Sequence, residues 1–390
     1  MMIKRLNLLW YWAKYPFKLI VYQFIDLMVM RRKAVTKPNT LLIFRLDLVG
    51  DYVMSRSFFA QLNAQGRFKG FEMSLACNEI YKDIALAFDA ETFGQFYFLN
   101  RARFLNDMRY RFRILSEIRA KGFEVAICPM HTRQFLLESV VKCSGAKLRI
   151  GSSAVGKHMF TWQQKLADAW YNELIINKKY DAFEFDRNLQ FFSKVVGEEL
   201  TIRNNKFTLD SKWMEKIPSH PYILFAPGAS VAVRRWSVHN FALLANALFQ
   251  KYGWPIFIIG SRSEHNLYRE IASSAGSPIY IQNLCGTLSL PEVFAWIANA
   301  KLLVGNESAP IHIAATGDCP TICLSNGTHF KRWNPYSPDL APNVKTVYSK
   351  SFLQSSDSEK EKAYAEPSHS DISEITPHEV LLAVNEMQIE

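Results

Sequence analysis

From Thr40 almost to the C-terminus, short unbroken apolar runs alternate with stretches of helical periodicity. A strand without polar alternation, such as Leu41-Leu42-Ile43-Phe44, is buried on both faces, and strands reached through an intervening helix pair in parallel. The repeat therefore predicts an α/β fold of doubly wound, Rossmann-like sheets covered by helices on both sides. One series places strands at Thr40–Phe44, Glu72–Cys77 and Phe123–Cys128, with helices at Tyr52–Leu62 and Leu105–Lys121. A second places strands at Tyr222–Ala226, Pro255–Gly260, Tyr280–Leu284, Lys301–Val304 and Thr321–Leu324. Its helices fall at Val238–Lys251, Glu264–Ala272, Leu290–Ala300 and Ala309–Thr316.

A chain of 390 residues exceeds one compact core, so two domains and a cleft between them are expected. Polar stretches at Lys178–Asp181 and Asn204–Pro218 place the boundary. The expected division is a basic, aromatic, amphipathic segment over 1–36, one Rossmann-like domain over 37–205 and a second over 206–348. Residues 349–371, rich in Ser, Glu and Lys, read as a mobile polar excursion, and 372–390 as a docking helix.

The N-terminal segment mixes Leu8, Leu9, Trp10, Trp12, Phe17, Ile20, Tyr22, Phe24 and Ile25 with Lys4, Arg5, Lys14, Lys18, Arg31, Arg32 and Lys33. Charges interrupt every window long enough to span a bilayer, and no small-residue cleavage site follows, which argues against a transmembrane helix or a secretory signal. Two readings stay open: a helix lying at a membrane surface, or one packed on the protein's own surface. Mean hydropathy near zero, −0.07, argues against an integral membrane protein. The net charge of +10 favours phosphate-bearing ligands, anionic lipid or nucleic acid without choosing among them. Cys77, Cys128, Cys143, Cys285, Cys319 and Cys323 fall singly among apolar or small residues and read as reduced core thiols of a cytoplasmic protein.

Three turns carry residues able to do chemistry. Arg45-Leu46-Asp47-Leu48-Val49-Gly50-Asp51 runs from the first strand into a helix start. There Asp51 is either an N-terminal cap or a carboxylate at the mouth of the crevice. Pro227-Gly228-Ala229-Ser230, followed by Arg234-Arg235-Trp236, is a small-residue loop that admits a ligand close to the backbone, with two arginines suited to a diphosphate. Glu307-Ser308-Ala309-Pro310-Ile311-His312 is a polar turn into a helix with proline in its first turn. His312 is either a satisfied core residue or a group facing the crevice.

In order and spacing these turns resemble glycosyltransferase family 9, whose best-known members are the ADP-heptose:lipopolysaccharide heptosyltransferases. The family's Arg-x-x-x-x-Gly-Asp turn is matched by Arg45 to Asp51. Its Pro-Gly-small-Ser/Thr loop is matched by Pro227 to Ser230, with Arg234 where the family has lysine. Its Asp-Thr-Gly-x-x-His turn is matched by Glu307 to His312, with Glu, Ser and Ala replacing Asp, Thr and Gly. Weaker matches are Gly260 followed by Glu264, and Asn283 to Thr287 leading into Leu290-Pro291-Glu292. The resemblance spans roughly Thr40 to Tyr336 and the last helix, and is thin between Gly66 and Asp210.

The resemblance implies a GT-B fold of two Rossmann-like domains, the first for the acceptor and the second for the donor. It implies inverting transfer from a nucleoside diphosphate sugar without a metal or other cofactor. Asp51 would be the catalytic base. Gly228, Ser230, Arg234, Glu264, Glu307, Ser308, Ala309 and His312 would hold the donor, and Arg45, Gly50, His131 and Arg133 the acceptor. A heptose on ADP leads, but the longer arm of Glu307 leaves other hexoses and deoxyhexoses open. The acceptor would be a lipopolysaccharide-core or related, lipid-linked saccharide presented at the inner face of the cytoplasmic membrane. A catalytically silent nucleotide-sugar binder of the same fold stands as the rival reading. The basic residues are too dispersed for nucleic acid, and no Gly-x-Gly-x-x-Gly follows Thr40–Phe44 as a dehydrogenase would need.

Overall fold

The computed structural model describes residues 2–153, 159–176, 182–202 and 206–389, and for residues 2–15 the backbone alone. The boundary stretch Lys178–Asp181, Asn204 and Asn205 of the second stretch, and the side chains from Lys4 to Lys14 lie outside the described residues.

Two six-stranded, all-parallel sheets organise the chain. The first contains β1 (Thr40–Arg45), β2 (Glu72–Asn78), β3 (Gln95–Leu99), β4 (Val125–Cys128), β5 (Leu148–Ser152) and β6 (Glu173–Ile175). Its order is β3-β2-β1-β4-β5-β6. The second contains β7 (Ile223–Ala226), β8 (Ile256–Ile258), β9 (Ile281–Asn283), β10 (Leu302–Asn306), β11 (Thr321–Ser325) and β12 (Val344–Tyr348). It repeats the same winding, with β7 and β10 as the central pair. In each sheet the chain leaves the centre first to one side and then to the other. The loops after the two central strands therefore diverge and open a crevice at their carboxyl ends.

The unbroken apolar runs sit where both faces are covered. All six residues of β1 are buried, with Leu41 registered between Met73 of β2 and Val125 of β4. In the second sheet Leu224 of β7 lies between Phe257 of β8 and Leu303 of β10. Aromatic rings close the seam between the domains. Phe88, ending the first-domain helix Lys82–Phe88, meets Phe294 of the second-domain helix Leu290–Asn299 at 5.2 Å and Phe207 of the linker at 4.6 Å between centroids.

Several elements depart from expectation. The helix expected over Tyr52–Leu62 is two short helices, Val49–Val53 and Ser57–Ala64. Between them the Ser55 hydroxyl donates to the Tyr52 carbonyl at 3.0 Å, local competition of the kind that weakens a helix interior. Strands β3, β5, β6 and β12 and the helix Glu184–Val196 carried no expectation. Residues 349–371, expected as a mobile polar excursion, contain the short helices Lys350–Gln354 and Asp357–Lys362 and bury Phe352, Ala363 and Tyr364. The Tyr364 hydroxyl donates to the Ala182 carbonyl at 2.7 Å and accepts from Arg187 at 2.8 Å, so this stretch returns to the first domain. The closing helix Pro377–Glu386 then packs Val380, Ala383 and Val384 into the second domain.

The N-terminal helix, Met2–Met30, lays Leu19, Tyr22, Ile25 and Val29 on the first domain. Asp26, with no exposed surface, accepts from Arg111 at 3.0 and 3.1 Å, and Arg111 also donates to the Leu136 carbonyl and the Ser139 hydroxyl. With every partner in place, two charges are tolerated in the interior. The packed face fits one of the two readings of this segment, and its opposite face is exposed. Among the described residues no helix is long and apolar enough to cross a membrane. All six cysteines are buried and unbridged.

Candidate functional site

The turn after β1 is held from three sides. The Tyr81 hydroxyl donates to the Arg45 carbonyl at 2.5 Å, the Asn78 amide to the Asp47 carbonyl at 3.0 Å, and the Arg45 guanidinium grips the Asp47 carboxylate at 2.8 Å. The chain then enters the helix Val49–Val53, whose third residue is Asp51. One oxygen of Asp51 accepts the Leu48 N–H at 3.0 Å, the reciprocal arm of a capping box, and the other remains for the cleft. Both readings of Asp51 thus describe one side chain. Burial pushes its carboxyl up, neighbouring Asp47 and Glu184 push the same way, and Arg45 and the Leu48 amide hold it back; it sits at about 7.

The facing wall comes from the second domain. After β7 the Gly228 backbone lies against Glu264, so that a Cβ at position 228 would fall 1.8 Å from Glu264 Oε1. Gly260 yields space in the same way, at 2.9 Å from Oε2. That oxygen accepts the Ser261 amide and hydroxyl at 2.6 and 2.8 Å, which fixes the carboxylate and leaves Oε1 beside the loop. Arg234 donates to the Ser230 hydroxyl at 2.7 Å, while its Nε is buried without a partner. Arg235, expected beside it as a second positive charge, donates to the Ala229 carbonyl at 2.9 and 3.0 Å, which braces the loop, and also lines the cleft.

After β10, Glu307 is buried and accepts the Ser325 hydroxyl at 2.6 Å. Burial pushes its carboxyl above the ordinary range, against the pull of Ser325 and Arg234. Ser308 turns its hydroxyl back to the Asn306 carbonyl rather than capping the helix Ala309–Ala314. His312 Nδ1 is hydrogen-bonded to the Tyr336 hydroxyl at 2.7 Å. Burial, reinforced by Arg234, lowers its pKa to about 4, so the ring is neutral at pH 7.

These groups line one cleft of about 840 Å³, ample for a nucleotide-sized ligand. Gly50 and Asp51 form one wall, with exposed Leu48 and Ile80 at the lip; Gly228, Ser230, Arg234, Glu264, Glu307, Ser308, Ala309 and His312 form the other. His329 and Trp333, which no motif marked, also line it.

Three expected acceptor residues face elsewhere. Arg133 is buried in the first domain on Glu138, at 2.7 to 3.0 Å, and on Asp168. His131 is buried against the Ser152 hydroxyl at 2.5 Å, with burial lowering its pKa to about 3. Arg45 has no exposed surface; its partner is Asp47, and its charge reaches Asp51 only through the interior. None of the three lines the cleft: the two arginines are matched by carboxylates of their own domain, and the neutral His131 ring is bonded to Ser152.

Other contributors left no motif. Asn306 accepts the Trp236 amide at 3.0 Å and donates to the Pro227 carbonyl at 2.7 Å, tying the arginine loop to the end of β10. Arg332 crosses the seam, donating to Glu184 at 3.1 Å and to the Thr132 hydroxyl at 2.5 Å. Burial pushes the Glu184 carboxyl up, yet Arg332, His131 and Arg187 outweigh it and hold it at about 2. Among the described residues no group of three or more His, Cys, Asp or Glu side chains could hold a metal ion.

Comparison with known proteins places this arrangement. A relative from Salmonella typhimurium, "Lipopolysaccharide heptosyltransferase 2", is 27% identical over 183 residues, covering 45% of this chain and 49% of the relative. The chain thus spans about half the length of the first curated relatives it matches. The solved structure of E. coli ADP-heptose lps heptosyltransferase II shares the fold, with a TM-score of 0.63 at 19% identity, covering 89% of this chain and 98% of that one. An E. coli heptosyltransferase with ADP gives a TM-score of 0.65 at 16% identity, covering 89% and 99%. Residues 111–363 match the family model of glycosyltransferase family 9 (heptosyltransferase). A match over more than half of its length makes the chain a member of glycosyltransferase family 9.

Proposed function

We propose that the chain is an inverting, metal-independent glycosyltransferase. It moves a sugar, a heptose before other hexoses, from a nucleoside diphosphate, ADP before other nucleotides, onto a lipopolysaccharide-core or related saccharide. The observation that carries this reading is the placement of Asp51, with its carboxyl at about 7, across one cleft from Arg234, Ser230 and Glu264. The acceptor hydroxyl attacks the anomeric carbon while its proton passes to Asp51. The bond from that carbon to the phosphate oxygen breaks, and the nucleoside diphosphate leaves with its electron pair. Attack from the wall opposite the leaving group inverts the anomeric centre.

Arg234 supports the leaving group, since its buried Nε has no protein partner and a charge-assisted hydrogen bond would satisfy it. Glu264 Oε1 suits a ribose or sugar hydroxyl, and Glu307, Ser308, Ala309 and neutral His312 suit sugar hydroxyls or phosphate. The names of the relatives, lipopolysaccharide heptosyltransferases, and the ADP held by a structural neighbour support the choice of donor and acceptor. The acceptor's lipid would bring the enzyme to the inner face of the cytoplasmic membrane, with the N-terminal helix as its contact.

A thermal-shift titration against ADP, UDP, GDP and dTDP, with and without EDTA, tests this. Selective stabilisation by ADP that EDTA leaves intact is the expected result. Preference for another nucleotide would redirect the donor, loss of the shift with EDTA would overturn metal independence, and no response to any would favour a silent binder.

A further inference from the structure

The N-terminal helix carries two apolar stripes. The inner one is docked, whereas Phe17, Ile20, Phe24 and Leu27 recur at intervals of three and four on the outer side, where helical residues share a face. Phe17, Ile20 and Phe24 are 60–70% exposed. A second helix, Thr161–Asp168, repeats the pattern: Gln163 and Ala167 point inward, while Phe160 at its start, Trp162 and Leu166 are 48–51% exposed.

Phe135 joins the two. It is buried in one cluster with Leu19, Tyr22 and Ile25 of the N-terminal helix and with Ala167 of the second, and its ring lies 5.8 Å from Trp162. The outer stripes therefore flank a common ridge. Exposed apolar residues gathered from two elements differ from the scattered ones of an ordinary surface.

The exposed charges carried by the described residues of these two elements are mostly basic, with the Asp107 carboxylate facing the N-terminal helix near Tyr22. Lys165 is exposed on the second helix, and Arg31, Arg32 and Lys33 are exposed where the first ends. Of the acids of the two helices, Asp26 is buried on Arg111, while Asp168, its side chain 35% exposed, is paired with Arg133.

We propose that the helix Thr161–Asp168 joins the N-terminal helix in one membrane-docking face, with Phe160, Trp162 and Leu166 entering an anionic lipid surface beside Phe17, Ile20 and Phe24. This rests on the membrane contact assigned above to the N-terminal helix and extends it to a second element. Apolar side chains seat at headgroup depth while the surrounding cations meet lipid phosphates. The position has a further meaning. Lys18 bonds Asn106, the last residue of the short helix Arg101–Asn106 that follows β3, and Leu19 clusters with Phe135 and Leu136, in the segment that follows β4. The docking face thus reaches the edge of the sheet that opens on the cleft, where a lipid-linked acceptor must enter.

Co-sedimentation of the full chain with vesicles of phosphatidylcholine, alone or mixed equally with phosphatidylglycerol, tests this. A triple variant Phe160→Ser, Trp162→Ser, Leu166→Ser, with the N-terminal helix intact, is expected to lose on the order of tenfold or more in affinity for the mixed vesicles. Lys165→Glu, a solvated change that leaves the core untouched, is expected to lose roughly tenfold on mixed vesicles only, and guards against a misfolded triple variant. Unchanged binding in both overturns the proposal. The contact of the N-terminal helix survives that result if Phe17→Ser, Ile20→Ser, Phe24→Ser still detaches the protein, and falls with it if wild type and all variants bind alike. Loss of self-association in the triple variant with vesicle affinity intact would assign the face to a second copy of the chain and overturn the proposal.

Discussion

Gly50 and His312 belong to different domains, yet no side-chain carbon fits between them: a Cβ at position 50 would stand 2.6 Å from His312 Cδ2. This glycine is not at positive φ, so what it supplies is closeness of approach rather than an unusual backbone conformation.

Gly50→Ala is therefore expected to keep the fold but prise the two walls apart. Transfer should fall about a hundredfold, the cost of roughly an ångström of misplacement between reacting groups, and His312→Ala in the same chain should recover part of it. Steady-state kinetics of the two single variants and the double variant check this; independent, multiplying losses would show that the contact does not set the approach.

Asp51→Asn is expected to abolish transfer while leaving ADP affinity within a few-fold. In the wild type, kcat/KM should rise with pH through about 7 and then level, since the base works only when deprotonated. Stability should move the other way. A carboxyl raised from 3.8 to about 7 destabilises the folded state progressively as pH climbs between those values, and the full cost is present above 7. At pH 8 the asparagine variant should be the more stable by about 2–4 kcal/mol, a gap closing toward pH 4. Urea unfolding at both pH values would expose a constant gap.

Arg234→Ala removes the donor whose Nε is buried and unpaired. Loss of a charge-assisted hydrogen bond of ~1.5–3 kcal/mol should weaken ADP between about tenfold and a hundredfold by calorimetry. Unchanged affinity would mean that the nucleotide lies elsewhere in the cleft.

Arg332→Ala leaves Glu184 buried beside an emptied partner, a change expected to destabilise by about 3–5 kcal/mol. The depressed carboxyl of Glu184 contributes stability above its ordinary value near 4.5 and loses it as pH falls toward about 2. Thermal unfolding of the variant should therefore be less acid-sensitive than that of the wild type over this range, and parallel acid profiles would remove the ion pair from the account.

The sequence exposed the frame because β1, β7 and β10 are buried on both faces and so contain almost nothing but apolar residues. It hid β3 and β6, whose residues are part-exposed and mixed. The second-domain wall of the cleft was legible because Gly228 and Arg234, and likewise Glu307 and His312, stand at fixed spacings within single short segments. The pairing of Arg332 with Glu184, 148 residues apart, has no local spacing to reveal it. Arg133 misled for a related reason: a cation near a strand end looks available until the matching Glu138 and Asp168 are placed around it. Residues 349–371 misled through composition, since Tyr364 anchors a stretch otherwise too polar to suggest packing.

The return of Tyr364 to Ala182 and Arg187 adds one more tie between the domains to the linker that follows Val196 and the pairing of Arg332 with Glu184. Two bodies joined at one point can swivel freely, whereas two bodies joined at two points turn only about the line between them. Each further tie removes a direction in which the two walls of the cleft could turn relative to one another.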